Sequence, residues 1–155
     1  MSEIIIRSAK LEDLEVLFKF EQGIIEYERQ FDDSLKEEHF YYYDLKSLIL
    51  SEESEVVVAT QNDKLIGSAY GKILKSKPYK NHNKHVYIGF VFVEPEYRGL
   101  GVSKLILEAI RTWAVSKEIF EIKLDVYADN KSAVSAYEKF GFKKDLINMR
   151  MKILK

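Results

Sequence analysis

From Val102 onward, apolar residues fall at every third or fourth position: Val102, Leu105, Ile106, Ala109, Ile110 and Trp113. That is the period of a helix with one buried face. At Ile122, Leu124 and Val126 the period changes to two, which predicts a strand. Ala133, Ala136, Tyr137 and Phe140 return to helical spacing, with Asn130 placed to cap the start and Gly141 to end it. Ile147, Met149, Met151 and Ile153 alternate again and predict a last strand. In the first half, Ile4-Ile5-Ile6 reads as a short strand. Leu11, Leu14, Leu17 and Phe18 mark a helix whose N-terminal end is favoured by Glu12 and Asp13. Residues 24–51 read as helical in pieces. Runs at 55–60 and 65–73 are rich in β-formers and join through Gln61-Asn62-Asp63-Lys64, a hairpin signal. After a polar loop at 78–84, residues 85–93 are almost free of charge, as in a central strand buried on both faces. Strands alternating with helices, together with a hairpin, predict a mixed α+β sheet.

Composition narrows the class of protein. The chain has 155 residues, 46% hydrophobic and 32% charged, which fits one domain over 1–155 with a real core. No apolar run approaches the roughly 18–20 residues of a membrane span, so no membrane partner is expected. The start, Met1-Ser2-Glu3-Ile4-Ile5-Ile6-Arg7, lacks the basic leader and long apolar stretch of a signal peptide, and a cytoplasmic location is expected. Absence of cysteine removes disulfides, thiolate metal sites and acyl-cysteine chemistry. The net charge of −1 conceals a division: residues 11–55 carry 14 acidic and 4 basic side chains. The rest is basic by nearly the same margin. Two solvated faces would explain this, and so would a cation meeting the acidic part and a polyanion the basic part. No basic stripe appears, so nucleic acid is not expected as a partner.

The most informative stretch is Val93-Glu94-Pro95-Glu96-Tyr97-Arg98-Gly99-Leu100-Gly101-Val102-Ser103, between the chargeless strand and the amphipathic helix. Glycines allow a tight turn and close approach of a ligand to the backbone. A helix start presents unpaired N–H groups and the positive end of its dipole to an anion, and Arg98 adds a planar cationic fork. The segment 98–103 therefore reads as a pyrophosphate cradle. No Gly-Lys-Ser/Thr follows at phosphate-loop spacing, and the glycines do not match the dinucleotide fingerprint. ATP and NAD are disfavoured.

These residues resemble the cofactor motif of the GNAT superfamily of N-acetyltransferases, Arg/Gln-x-x-Gly-x-Gly/Ala after a strand ending in Val-x-Pro. Here the strand ends Val93-Glu94-Pro95, and Arg98-Gly99-Leu100-Gly101-Val102-Ser103 follows. Leu124-Asp125-Val126, Asp129-Asn130, Ala133 and Tyr137-Glu138-Lys139-Phe140-Gly141-Phe142 resemble the superfamily's second cofactor motif, in order and at its spacing. The match is specific from about residue 85 to 151. Ser103 departs from the family's Gly or Ala, but its small hydroxyl can itself bond a phosphate oxygen.

The resemblance implies a GNAT-like domain: a mostly antiparallel, twisted central sheet with splayed central strands and flanking helices. It implies acetyl-CoA as acetyl donor and no metal. The pantetheine arm would pair with the backbone of Phe90, Val91, Phe92 and Val93, with Val91 and Val93 foremost. Asn130 and Ala133 would contact the cofactor. Tyr137 stands at the family's acid position, and a phenol of pKa about 10 is protonated at neutral pH and able to donate to the leaving thiolate. A homodimer is implied by analogy. Gly89 fits either a bulge or the close approach of a backbone-like chain.

The general base is open. Residues 85–93 contain no carboxylate, which leaves Glu26, Glu28, His85, Tyr87 or no dedicated base. Glu26 could equally anchor a substrate ammonium. Tyr41-Tyr42-Tyr43 with Phe31 and Phe40 could wall an amine pocket or simply pack helices. His82 and His85 lack patterned acidic partners for a metal. The expected activity is transfer of an acetyl group to a primary amine, a small cationic one, by direct attack in a ternary complex. Acetylation of protein N-termini or lysines is the nearest alternative, and a non-catalytic CoA-binding regulatory module the next.

Overall fold

The computed structural model describes residues 2–154. The chain forms two compact units, Met1–Asp125 and Val126–Lys155, each described here by itself. In the first, β1 (Ile5–Ser8), β2 (Ser54–Gln61), β3 (Lys64–Lys75), β4 (Lys84–Val93) and β5 (Ile122–Leu124) lie in that order in one sheet. All neighbours are antiparallel except β4 and β5, which run parallel. Helices α1 (Leu14–Glu28), α2 (Leu45–Leu50) and α3 (Val102–Ser116) pack on the sheet. The mixed α+β sheet flanked by helices is the architecture expected from the sequence.

The β2–β3 hairpin turns at Asn62 and Asp63, both at positive φ, which these two residue types tolerate best after glycine. In α3 the buried residues are Val102, Ile106, Leu107, Ile110 and Ala114. Leu105, expected in the stripe, is exposed, and Leu107 takes its place. The core thus sits slightly around the helix from the face that periodicity alone selects.

Three expectations are corrected. Residues 24–51 are not helical in pieces throughout: α1 ends at Glu28, α2 spans only Leu45–Leu50, and residues 29–44 form an aromatic loop. Local bonds hold that loop in place of a helix: Arg29 Nη1 donates to Lys36 O at 2.8 Å, and Gln22 Nε2 donates to Phe40 O at 3.0 Å. Strand β4 is not buried on both faces. Val86, Ile88 and Phe90 are buried, while the residues between them are half-buried. Those intervening residues line the candidate site. Finally, no strand forms among Ile147–Ile153. The alternation is present, but a strand exists only through a ladder partner, and none is paired with it among the described residues.

In the second unit, α4 (Lys131–Phe140) begins as predicted: the Asn130 side chain accepts from the Ala133 N–H at 3.3 Å. It ends at Gly141, whose φ of 127° suits a residue without a β-carbon. No helix in the described residues is long and apolar enough to cross a membrane.

Candidate active site

Strand β4 departs from regularity at the place where the sequence puts the thioester contacts. Its register against β3 pairs Gly89 with Tyr70 and Phe92 with Ser68, so Phe90 and Val91 together face the single residue Ala69. This is a bulge, and Phe90 carries the strain at φ 61°, an unusual value for a bulky side chain. The bulge reverses the order of faces along the strand. Val86 lies on the α3 side, within reach of Gly71 and its neighbours Ile110 and Trp113. Phe90 instead joins the cluster of Leu17, Phe20, Leu45, Leu48 and Tyr70. Its carbonyl accepts from Ser68 Oγ at 3.2 Å.

Pairing of β4 with β5 covers only Val86–Ile88. Beyond Ile88, the residues Gly89–Val93 have a strand neighbour on the β3 side alone among the described residues. This is the splay: on that side the backbone of Val91 has no strand partner, while the Val93 carbonyl accepts from Arg98 Nε. The Phe92 side chain is engaged elsewhere, stacked on Phe20 at 4.6 Å, and its backbone is turned to β3, opposite Ser68.

The turn after β4 has the form that an anion needs. Gly99 and Gly101 stand at φ 79° and 81°, and a β-carbon on either would meet nothing within 4 Å. The space above them is open. Gly101 is the N-cap of α3 and supplies no side chain, so the first N–H groups of a 15-residue helix have no capping oxygen from it. Leu100 is exposed, Val102 is buried as the anchor of the helix, and Ser103 is half-buried. Arg98 donates through Nε to Val93 O at 3.0 Å, and its guanidinium lies 6.0 Å from the Tyr27 ring centroid. One edge of the fork is thereby fixed to the strand end.

Against the bulge lies a cluster that sequence reasoning did not assemble. A β-carbon on Gly89 would stand 2.6 Å from the Tyr70 hydroxyl oxygen, so this glycine accommodates a ring and not a ligand backbone. Tyr43 packs on both Tyr70 and Phe90, with centroids at 5.4 and 5.3 Å. The Tyr87 hydroxyl donates to Asp125 Oδ2 at 3.1 Å. Burial, and then the Asp125 carboxylate, push the Tyr87 phenol far above its ordinary range. Burial does the same to Tyr43, helped by Tyr70 and Glu28. The Glu28 carboxyl is itself raised, first by burial, against a lowering hydrogen bond from the Tyr42 side chain. Glu28, half-buried and desolvated, and Asp125, exposed and hydrogen-bonded to Tyr87, thus flank these phenols.

The other candidate bases lie apart from this pocket. Glu26 is 73% exposed and paired with Arg29 at 3.0 Å. His85 Nδ1 and His82 Nδ1 approach Ser76 Oγ at 2.9 and 2.8 Å, and burial lowers the His85 pKa. His85 is also about 20 Å along the strand from Val91. Of the aromatic run, Tyr43 serves the pocket, Tyr41 is exposed against Phe18 and His39, and Phe31 pairs with Tyr27. In the second unit, Asn130 and Ala133 form the cap of α4, and Tyr137 is half-buried with its ring 5.9 Å from Phe142. Among the described residues, no three His, Asp or Glu side chains gather as a metal site would need.

Glu21 was missed entirely. It is fully buried, and its Oε2 accepts from the N–H groups of Tyr42 and Tyr43 at 2.7 and 2.9 Å, tying the aromatic loop to α1. Glu21 continues the stripe of Leu14, Leu17 and Phe18 at helical spacing, a signal of burial that its charge obscured. Tyr70 and Asp125 were readable only as parts of strands; their meeting over Gly89 and Tyr87 depends on the register.

A splayed strand with a bulge, followed by a glycine turn into a helix whose N-cap has no side chain, is thus the geometry of the candidate site. The model of the acetyltransferase (GNAT) family matches residues 20–142, and the chain belongs to that family. A thialysine N-epsilon-acetyltransferase of Bos taurus is 28% identical over 152 residues, covering 91% of this chain and 85% of the relative. Among solved structures, a mutant form of the BH1408 protein from Bacillus halodurans superposes with a TM-score of 0.88 at 24% identity, covering 97% of this chain and 99% of the other. A predicted acetyltransferase from Clostridium acetobutylicum, solved with acetyl-CoA, gives a TM-score of 0.74 at 18% identity, covering 97% and 96%.

Proposed function

We propose that the protein transfers the acetyl group of acetyl-CoA to a primary amine on a small cationic substrate, by direct attack in a ternary complex. The observation that carries this reading is the pocket of Glu28, Asp125, Tyr43, Tyr70 and Tyr87 beside the Phe90 bulge. Its two carboxylates favour a cation, and its phenols give that cation apolar, electron-rich walls. The bovine relative is named for transfer to an ε-nitrogen, an acceptor of the same chemical kind.

In this reading, the N–H groups at the start of α3, with Arg98 and the Ser103 hydroxyl, hold the pyrophosphate. The backbone of Val91 and Val93 takes the pantetheine arm, and Asn130 and Ala133 add cofactor contacts. Acetyl-CoA supplies the activated acyl carbonyl. Glu28, Asp125 and the phenols seat the ammonium, and Glu28 accepts the proton that the nitrogen must lose before attack. Its raised pKa brings it nearer the operating range of a general base. Backbone N–H groups on the open edge of β4 stabilise charge on the carbonyl oxygen. As the new C–N bond forms and the C–S bond breaks, Tyr137 donates its phenolic proton to the sulfur, and the second proton lost by the nitrogen on becoming an amide returns the phenolate to phenol. Glu26, exposed and paired with Arg29, has no part in these steps.

Release of free CoA thiol, followed with acetyl-CoA and a panel of diamines, polyamines, amino sugars, neutral amines and short peptides, tests the proposal. Diamines and polyamines should react best, and the preference should fade as salt rises. Equal rates with neutral amines would overturn the cationic acceptor. Absence of thiol release with every amine, while acetyl-CoA still binds, would overturn the activity itself. In parallel, Gly101→Trp should abolish cofactor binding, because its bulk enters the open space above the turn. Unchanged affinity in that variant would overturn the assignment of the cradle.

A further inference from the structure

Ser68 is a polar residue at a place where the fold calls for an apolar one. It lies in the middle of β3, fully buried, with Val58 opposite it on β2 and Phe92 opposite it on β4. Burying a hydroxyl is unfavourable unless a partner replaces water. The partner here is the Phe90 carbonyl, which accepts from Ser68 Oγ at 3.2 Å. An alanine would sit in the same place without that demand, so packing alone does not account for the hydroxyl.

What the hydroxyl holds is the strained residue of the bulge. Phe90 stands at φ 61°, where a bulky side chain is disfavoured, in the stretch where two residues of β4 face Ala69 alone. β3 is shaped to the same irregularity. A β-carbon on Gly67 would lie 2.9 Å from the Phe92 carbonyl oxygen, so its absence lets β4 come close there. Backbone strain of this kind persists only where its surroundings over-determine it.

The peptide plane then sets a direction. The bond between Phe90 and Val91 is trans, and in a trans peptide the C=O of one residue and the N–H of the next point opposite ways. The Phe90 carbonyl points to β3, where Ser68 takes it. The Val91 N–H therefore points away from β3, to the side on which β5 no longer pairs.

We infer that Ser68 is a positioning residue for acetyl transfer: by holding the Phe90 carbonyl, its hydroxyl aims the Val91 N–H at the thioester oxygen, where negative charge develops. This role rests on the proposed function, and it names for one step the donor and the side chain that sets the donor's aim. Ser68 itself, fully buried in β3, touches no reacting atom. A donor held in place before the reaction stabilises the developing charge without having to turn at that moment.

Infrared spectra of bound acetyl-CoA, isotopically labelled at the thioester carbonyl, test this directly, because a hydrogen bond to that oxygen lowers its stretching frequency. On wild type the band should lie below that of free acetyl-CoA. On Ser68→Ala it should return most of the way to the free position. With the best amine acceptor, kcat of Ser68→Ala should fall roughly 10–100-fold, short of the about 10²–10³ for deleting a donor outright. Acetyl-CoA affinity and the KM for the amine should change little. Ser68→Cys keeps the shape with a weaker donor and should fall between the two in both readouts; it also carries the test if the alanine chain does not fold. A band and a kcat that neither substitution moves overturn the role of Ser68. Equal losses of kcat and of acetyl-CoA affinity overturn it as well, since they would make the hydroxyl a support of the fold only. A wild type that binds acetyl-CoA with its band unshifted overturns this inference alone. A wild type that does not bind acetyl-CoA overturns the proposed function beneath it.

Discussion

The Tyr70 hydroxyl oxygen lies 2.6 Å from where a β-carbon on Gly89 would be, so the one glycine of β4 exists to let a buried ring lie flat across the strand. The same ring, with Tyr43, walls the pocket beside the Phe90 bulge. Packing and chemistry therefore meet at one residue.

Gly89→Ala should consequently do more than add a methyl group to a strand. The added carbon forces Tyr70 aside, and overpacking of this kind costs about 1–3 kcal/mol. The melting temperature should fall and the KM for the amine should rise. In a double-mutant cycle with Tyr70→Ala, the combined loss of stability should be smaller than the sum of the single losses. Additive losses would mean that the two residues do not compete for the same space.

Glu28→Gln separates the pocket's charge from its shape. The carboxylate seats the ammonium only when ionised, and burial has raised its pKa above 4.5. In wild type, kcat/KM should climb as pH rises through that raised value. The Gln variant should lose this lower limb and bind the amine roughly 10–100-fold more weakly, the range for losing one charged hydrogen-bond partner. Glu26→Gln, altering a carboxylate exposed and paired with Arg29, should leave both quantities unchanged. An identical lower limb in Glu28→Gln would assign it to another group.

Tyr137→Phe removes a proton donor and little else. If the phenol protonates the leaving sulfur, turnover should drop about a hundredfold. Acetyl-CoA affinity, measured by calorimetry, should change little. Equal loss in both would make the ring a binding surface, and a wild-type rate would remove it from the chemistry.

Much of this was legible from spacing because periodicity and turn chemistry are local. Val93-Glu94-Pro95 and the glycines at 99 and 101 located the strand-to-helix turn, and Asn130 and Gly141 bounded α4 to the residue. The pocket was not legible, because it depends on registry. Whether Tyr70 faces Gly89 or its neighbour is decided by a one-residue bulge, and that bulge is centred on Phe90, a residue whose sequence identity gives no hint of positive φ. The loop at 29–44 misled for a related reason: its aromatic residues suit a helix face as well as a wall. What fixes it is a tertiary bond to Glu21. The alternation at Ile147–Ile153 suits a strand, but no strand forms there among the described residues, because alternation alone supplies no ladder.

Glu21 gives the most direct test of the loop's anchoring. Its side chain is fully buried, Oε2 accepts two backbone N–H groups, and Oε1 has no partner. Burial raises its pKa above 4.5, and the two N–H donors oppose this only in part. The folded state therefore binds the proton more tightly than the unfolded chain. Between the unfolded pKa and the raised folded one, this group's contribution to stability falls as pH increases; it is fully present below the window and lost above it. Glu21→Gln keeps an oxygen for the same two N–H groups and carries no charge. The difference in stability between Gln and wild type should accordingly move in favour of Gln as pH rises from 4.5, and stay constant below it. Taking the difference cancels the opposite trend from Asp13, whose pKa is lowered chiefly by its hydrogen bond to Arg7 and whose stabilisation is lost in acid. Glu21→Ala leaves the Tyr42 and Tyr43 N–H groups without an acceptor and should cost about 1–3 kcal/mol in acid, a cost that shrinks as pH rises and wild type loses its own contribution. It should also raise the KM for the amine, since Tyr43 is held in the pocket by that bond. Chemical denaturation across pH 4–8 would read all three chains. A pH-independent gap between Gln and wild type would show that Glu21 is buried in the same protonation state throughout, and that the loop is held by hydrogen bonding alone.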